Sequence, residues 1–253
     1  MKQILKLTIF LSALCLLSFP VCFSAQTQAP AGYGLIRLKV RYKIGSEWKE
    51  LKRKRFFLIK GTRVENQNLI DRIKQTSVPT RDCYYRNHGA SDRLIAWLKK
   101  FECDSVYCYG IDAEFLTGAT AVDEFQTAYA KAKEELKTDA AARRWLANYL
   151  PPEIRSGLYD EKQKAIESLL ALAQPQPQTV ISVMTDRHGS AYFANIAPGS
   201  YTITNLIASE DGASSLLWIC DQEVKAPTNV LNLSKESTAM CEVIPRPVPV
   251  CEK

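Results

Sequence analysis

The chain has few of the residues and motifs on which most enzyme sites depend. Only two of its 253 residues are histidine, His88 and His188. No segment matches the G-x-S-x-G, H-E-x-x-H or phosphate-loop patterns. The S-x-x-K match at Ser46–Lys49 lies in a predicted hairpin and lacks its companion motifs. We therefore expect no catalytic residues, no cofactor and no metal, and interpret the chain as non-enzymatic. A second alternative is an enzyme with an unrecognised site in the helical insertion predicted at 65–177, where carboxylates from distant positions could converge.

Long apolar runs are also scarce. The run 9–19 follows Lys2 and Lys6 and precedes the small residues Ser24 and Ala25, an order typical of a secretory signal peptide. No later segment approaches the ~20 apolar residues that a transmembrane helix needs. We predict a signal peptide at 1–25, no transmembrane segment after its cleavage, and an extracytoplasmic location, either periplasmic or secreted.

Six cysteines lie outside this predicted signal peptide, and an even number in an exported chain favours disulfides. They are Cys83, Cys103, Cys108, Cys220, Cys241 and Cys251. Three lie in the middle of the chain and three near its C-terminus, so complete pairing within the chain requires at least one bridge between these regions. We prefer Cys220–Cys241, with Cys83 bonded to Cys103 or Cys108. The spacing of His88 and the nearby cysteines matches no familiar zinc pattern.

The alternation of residues 34–43 predicts a half-buried strand with a cationic outer face. Its apolar residues are Ile36, Leu38, Val40 and Tyr42, and its cationic residues are Arg37, Lys39, Arg41 and Lys43. A second strand is predicted at about 55–60. Helical spacing then dominates from 65 to about 173, and strand patterns return after 179. Acidic residues between 104 and 135 could bring the helical segment onto the cationic face, or both could be ordinary solvated surfaces.

This pattern predicts an α+β protein in which an antiparallel prealbumin-like β-sandwich is interrupted by a mostly helical, disulfide-braced insertion. We assign 1–25 to the signal peptide, 33–64 plus 178–244 to a discontinuous β-sandwich, 65–177 to the helical insertion, and 245–253 to a Pro-rich tail. The prediction requires Phe56–Ile59 and Val180–Met184 to be neighbours in space. A separate N-terminal unit followed by an independent sandwich is the alternative.

The stretch from Thr185 to Tyr201 contains two turn signals, Asp186–Gly189 and Pro198-Gly199. It resembles the T-D-x-x-G-x-x-x-F-x-n-l-x-P-G-x-Y pattern of carboxypeptidase regulatory-like domains, whose prealbumin-like (transthyretin-type) sandwich is also described as a carbohydrate-binding-like fold. The matching residues are Thr185, Asp186, Gly189, Phe193, Asn195, Ile196, Pro198, Gly199 and Tyr201. The resemblance implies a β-sandwich and, because such domains are usually accessory, adhesive or scaffolding modules, a non-catalytic role.

Two groups of side chains are candidate contacts for a partner. The aromatic group lies around the cysteines of the insertion and consists of Tyr84, Tyr85, Trp97, Tyr107 and Tyr109. The cationic group is Arg37, Lys39, Arg41 and Lys43. We predict an exported binding or scaffold protein, with a carbohydrate-binding protein using the aromatics of the insertion as the alternative. A glycan or an envelope protein is the expected partner. Nucleic acid is not expected, because the chain is exported and has no recognised binding motif.

Overall fold

The computed structural model describes residues 32–44, 46–172, 180–211, 214–225, 228–234, 241–247 and 251. The predicted signal peptide therefore lies outside the described residues. The described chain from residue 32 onward belongs to one compact unit.

Ten strands form two sheets within the described residues. They are β1 (Gly34–Ile44), β2 (Glu47–Glu50), β3 (Arg55–Lys60), β4 (Ile181–Met184), β5 (Ser190–Ile196), β6 (Gly199–Thr204), β7 (Ser209–Asp211), β8 (Ser214–Val224), β9 (Thr228–Ser234) and β10 (Cys241–Pro247). In the first sheet, β1 pairs with β2 and β5 antiparallel and with β9 parallel. The second sheet is antiparallel, has the order β10-β8-β6-β3-β4, and adds β7 beside β8. The parallel β1–β9 pair is the one described departure from the predicted antiparallel pairing.

Six α-helices lie between β3 and β4 in the described chain. They are α1 (Gln67–Gln75), α2 (Arg81–Asn87), α3 (Asp92–Lys100), α4 (Asp123–Leu136), α5 (Asp139–Trp145) and α6 (Leu158–Leu170). Side-chain caps fix several of their starts: the hydroxyl of Thr80 accepts from Cys83 N at α2, and that of Ser91 accepts from Leu94 N at α3. None of the described helices combines the length and apolar character needed to cross a bilayer.

The two sheets pack face to face around an apolar core. The first sheet contributes Ile36 and Leu38 of β1 and Phe193 of β5, all fully buried. The second contributes Phe56 of β3 and Trp218 of β8, whose rings meet edge to face with centroids 6.0 Å apart. Because β-strand side chains alternate between faces, the clean alternation of β1 places its apolar half in this core. The molecule is an α+β protein with a two-sheet sandwich.

The outer face of the second sheet is covered by helices. Phe57 and Ile59 of β3, together with β8 residues, pack against α1 and α6. The residues buried at this contact are Phe57, Ile59, Leu69, Ile70, Ile73, Leu169, Leu206, Leu217 and Ile219. The middle helices enclose a separate apolar cluster of their own, which includes Tyr85, Trp97 and Phe125. The run 56–59 is therefore buried on both of its faces, as its unbroken apolar character predicted.

The strands that flank the helical segment are direct neighbours. Phe56 of β3 is paired with Val183 of β4, and Leu58 is paired with Ile181. The predicted proximity of Phe56–Ile59 and Val180–Met184 is confirmed. Since β1 also pairs with the later strands β5 and β9, the strands on both sides of the helical segment form the same two sheets. The domain boundaries themselves stay a prediction.

Three disulfides connect the six cysteines of the described chain. Cys220–Cys241 is confirmed, and it joins paired residues of β8 and β10 with 4.0 Å between Cα atoms. The predicted bond from Cys83 to Cys103 or Cys108 is wrong, because a tight turn brings Cys103 and Cys108 together and they bond to each other. Cys83 of α2 bonds instead to Cys251, across 168 positions of sequence. The required bridge between the middle segment and the C-terminal region is therefore present.

The start of the predicted Pro-rich tail is part of the sandwich. Pro245 is paired with Leu216 and Pro247 with Ser214, so β10 runs three residues past the predicted boundary at 244. β10 stands at the end of the order of its sheet. Proline is tolerated in an edge strand, because the N–H that it lacks would point to solvent and not to a neighbouring strand. Residues 248–250 lie outside the described residues.

Candidate functional site

The outer surface of the first sheet combines cationic side chains with exposed aromatic rings. Ile36, Leu38 and Val40 are fully buried, so the residues between them point away from the core. The neighbouring strands place Trp48 of β2 and Tyr192 of β5 beside these residues. We call this surface the β1 face; it consists of Arg37, Lys39, Arg41, Lys43, Trp48 and Tyr192. The alternation of the sequence predicted its four cations, but not its two rings.

Cation–π contacts organise the two rings. The guanidinium of Arg41 lies 4.6 Å from the ring centroid of Trp48, and Lys43 Nζ lies 6.0 Å from the same centroid. The guanidinium of Arg37 lies 5.8 Å from the centroid of Tyr192. Such contacts hold long cationic side chains beside an aromatic surface without removing either from water. Trp48 is 39% exposed and Tyr192 is 51% exposed, so a ligand can reach both rings.

Lys39 lies between Arg37 and Arg41 on β1, and its positive charge is partly neutralised. Its ammonium forms an ion pair with Glu50 Oε1 at 2.9 Å and also donates to the carbonyl of His188. The hydrogen bond from Lys39 holds the pKa of Glu50 below its ordinary value. No such carboxylate lies within ion-pair distance of Arg37 or Arg41 among the described residues. The positive charge of the β1 face is therefore concentrated beside Tyr192 and Trp48.

The described part of the helical segment does not cover this face. The α1 and α6 contacts are made with the outer face of the other sheet, whereas Arg37 and Arg41 are exposed. Docking of the acidic helical segment on the cationic strand was one of the expectations from sequence, and it is wrong. The helices pack on the apolar outer face of the second sheet because burial of Phe57 and Ile59 there removes apolar surface from water.

Three of the predicted aromatic contacts are inaccessible. Tyr84, Tyr85 and Trp97 are at most 4% exposed and belong to the core of the helical segment. The hydroxyl of Tyr85 donates to the carbonyl of Asp104 at 3.0 Å, and burial raises the pKa of this phenol well above its ordinary value. We therefore correct the prediction for these three rings: they stabilise the helical segment and do not form a surface that a ligand can reach.

Tyr107 and Tyr109 are accessible, as a binding role requires. They are 55% and 41% exposed. The hydroxyl of Tyr107 donates to Asn148 Oδ1 at 2.8 Å, and the ring of Tyr109 stacks on Phe101 with centroids 3.9 Å apart. Both rings lie at the turn closed by the Cys103–Cys108 bond. The aromatic group predicted from sequence is thus divided between a buried core and a small exposed pair.

The two histidines have local roles. His88 stacks on Tyr84 with centroids 4.2 Å apart, and its Nδ1 contacts the carbonyl of Tyr84 at 2.8 Å. His188 lies in an exposed turn, where its Nε2 accepts from Arg187 Nε. Among the described residues, no three His, Cys, Asp or Glu side chains converge in a group that could hold a metal ion. All six cysteines of the described chain are in disulfides.

Comparisons with known proteins give little further information. No protein-family model matches the sequence, and no curated protein matches it significantly. A crystal structure described as that of a putative carbohydrate binding protein from Pseudomonas aeruginosa is 13% identical to this chain. The match covers 86% of this chain and 98% of that chain, with a TM-score of 0.29. An overlap this low does not establish a common fold, so function has to be inferred from the site.

Proposed function

We propose that this protein is an exported, non-catalytic binding protein that recognises an acidic glycan through the β1 face. The observation that carries the proposal is the placement of two accessible rings, Trp48 and Tyr192, beside Arg41 and Arg37 on an open sheet surface. Aromatic rings offer flat apolar surfaces against which the C–H faces of sugars can stack. Guanidinium groups offer paired donors to carboxylates. Together these groups fit a sugar polymer that carries acidic substituents.

The geometry of a strand suits a repeating ligand. Alternate residues of β1 are ~6.6–6.8 Å apart, so Arg37, Lys39, Arg41 and Lys43 form a linear array. A polymer lying along β1 can meet several of these cations in succession. Long-range attraction between the array and a polyanion would also speed association at low ionic strength. A single small sugar acid would use only part of this array, and we therefore expect a polymer to bind more tightly.

Export and the accessory role are parts of the same proposal. Three disulfides are typical of proteins that fold in an oxidising compartment. The resemblance at Thr185–Tyr201 supports a sandwich of the carboxypeptidase regulatory-like type, whose members usually serve as non-catalytic modules. Within the structure this stretch supplies core and turn residues such as Phe193, which is fully buried. The resemblance therefore concerns the scaffold, and the β1 face supplies the proposed recognition.

A second candidate function uses the exposed pair Tyr107 and Tyr109. Their exposure favours stacking on a sugar or on a partner protein. The nearby cations include Lys100, whose ammonium lies 5.2 Å from the ring centroid of Phe101. Among the residues that the structure describes, no strand provides this aromatic pair with a linear array of cations like that of β1. We therefore expect this pair, if it binds a glycan, to show less preference for acidic polymers.

Tryptophan fluorescence provides the test of the proposed function. Trp97 and Trp218 are buried, whereas Trp48 and Trp145 are exposed. We expect polygalacturonate, an acidic polysaccharide, to cause a saturable change in emission that neutral dextran does not cause. The Trp48→Ala/Tyr192→Ala variant should bind at least about tenfold more weakly, because it removes both stacking surfaces. The matched control is Trp145→Ala/Tyr159→Ala, which removes two exposed rings from the helical segment.

Trp48 contributes part of the fluorescence signal, and one of the variants lacks it. Binding of each variant is therefore also measured by cosedimentation with polygalacturonate in an insoluble form. We expect affinity for polygalacturonate to fall as salt is raised, because exposed charges are screened. The second candidate would be favoured if the acidic and neutral polymers bound equally well and if binding were lost only in the Tyr107→Ala/Tyr109→Ala variant. Absence of binding to either polymer at low salt would contradict both.

A further inference from the structure

A cleft separate from the β1 face lies where the second sheet meets the helical segment. Its volume is about 120 Å³. The segment before β3, the end of β4, α6 and the segment leading into β7 all contribute walls. Four cationic side chains, Arg53, Lys54, Arg55 and Lys162, and two carboxylates, Asp104 and Glu210, line it. The cleft is thus polar, charged and shared between the two structural parts of the molecule.

The two carboxylates of the cleft already have partners. Lys162 Nζ lies 2.9 Å from Asp104 Oδ1 and 3.6 Å from Glu210 Oε1. Glu210 also accepts from the backbone N–H of Arg81 at 3.1 Å. Burial opposes ionisation of Asp104, but Lys162 and Lys54 outweigh it and hold the pKa of this carboxyl below its ordinary value. Both acids are therefore committed to existing contacts.

Lys54 is one of three cations of the cleft, with Arg53 and Arg55, that lie outside these ion pairs among the described residues. Its backbone N–H donates to Thr185 Oγ1 at 2.9 Å, and its carbonyl accepts from Thr185 N at 2.9 Å. These bonds fix the base of the side chain against the end of β4. The side chain is half-buried, and no carboxylate lies within ion-pair distance of its ammonium among the described residues. Burial lowers the pKa of its ammonium, and it outweighs the opposite influence of the nearby carboxylates of Asp104 and Glu102.

We propose that this cleft binds a small organic monocarboxylate whose carboxylate pairs with Lys54. The four cations that line the cleft outnumber its two carboxylates, so the cleft favours an anionic group beside the half-buried ammonium of Lys54. The cleft also has apolar walls from Phe57, Ile166 and Ile207, which suit a hydrocarbon group. Such a combination of a few polar anchors with apolar walls is usual for small-molecule sites. The volume restricts the ligand to a small molecule.

Matched pairs of ligands and variants test this proposal. Benzoate, hexanoate and 3-phenylpropanoate are titrated into the whole protein by calorimetry, and benzamide serves as the uncharged match for benzoate. We expect at least one carboxylate to bind with a dissociation constant of about 1 mM or below, and benzamide not to bind. Lys54→Met should weaken that binding at least about tenfold. Lys52→Met, which removes an exposed lysine from the same segment, should leave it unchanged.

Amine labelling of the wild-type protein keeps the test independent of how the variants fold. The bound carboxylate should slow reductive methylation of Lys54 several-fold, as read by peptide mass spectrometry, and should not slow that of Lys52. Failure of all three carboxylates to bind would overturn the proposal. Binding that is insensitive to Lys54→Met, or protection spread equally over both lysines, would overturn it as well. None of these outcomes depends on whether the β1 face binds a polysaccharide.

Discussion

Replacing Phe56 with alanine is expected to lower the free energy of unfolding by about 3–5 kcal/mol. Phe56 is fully buried between the two sheets and meets Trp218 edge to face. The substitution removes apolar contacts and leaves a cavity that the surrounding side chains can fill only in part. Urea denaturation followed by near-ultraviolet circular dichroism measures the change. The same experiment tests whether β3 belongs to the sandwich despite its distance in sequence from β4.

The control for this prediction is Lys60→Ala at the exposed end of the same strand. Surface substitutions away from special features usually change stability by about 0.5 kcal/mol or less. If Phe56→Ala cost no more than Lys60→Ala, Phe56 would not lie in the core and the packing of the two sheets would be wrong.

Loss of the Cys83–Cys251 bridge is expected to lower the free energy of unfolding by about 2–5 kcal/mol. The bridge closes the longest loop of the three, since it joins positions 168 apart, and long loops restrict the unfolded chain most. It also ties the C-terminal end of the described chain to α2. The double variant Cys83→Ser/Cys251→Ser avoids leaving a free thiol, and chemical denaturation without reductant measures its stability.

Cys103→Ser/Cys108→Ser is the matched control, because this bond closes a loop of only 5 positions. On loop length alone, its removal should cost less than removal of Cys83–Cys251. Non-reducing peptide mapping of the wild-type protein checks the connectivity directly. A peptide in which Cys83 is bonded to Cys103 would contradict the structure and remove the basis of the comparison.

The β-sandwich could be predicted from turn residues and strand alternation, because each of these local patterns is typical of one kind of structure. The turn at Asp186–Gly189 forms with Asp186 accepting from the backbone N–H groups of His188 and Ser190. Gly189 has a φ of 66°, and a Cβ there would lie 2.5 Å from the carbonyl of Val40. Only glycine satisfies both conditions without strain. Turn chemistry and alternation therefore identified the sandwich before its pairing was known.

The site was harder to predict, because closeness in sequence does not indicate exposure. Tyr84, Tyr85 and Trp97 lie close to Tyr107 and Tyr109 in sequence, yet the first three are core residues of the helical segment. Aromatic side chains bring a large apolar area to a small core, and burial is the usual result. Exposure depends on which helix faces meet, and that is a property of the tertiary structure.

Tyr192 could have been found from the sequence. It alternates with Ala191 and Phe193, which are 4% and 0% exposed, so strand period alone places it on the outside of β5. Its position beside Arg37 required the β1–β5 register, in which these two residues are paired. The position of Trp48 on this face likewise required the β1–β2 register, in which Trp48 is paired with Lys43. The alternating pattern indicates the face, and the register indicates the neighbours.

The arrangement of the two sheets accounts for the proposed division of roles. The second sheet has helices on its outer face, which bury Phe57 and Ile59. The described helices do not cover the proposed site on the first sheet. Its residues Arg37, Arg41, Trp48 and Tyr192 are exposed. A rigid sheet backed by a packed core holds these side chains at fixed spacing, so that little ordering is needed when a ligand binds. This preorganisation is the physical basis of the proposed recognition.

Hydrogen–deuterium exchange with and without polygalacturonate tests the central proposal most directly, because it locates the bound polymer without any substitution. We predict slower exchange in β1, β2 and β5, with the segment 105–109 unchanged. Slower exchange confined to 105–109, or no change in β1 at saturating polymer, would contradict recognition by the β1 face.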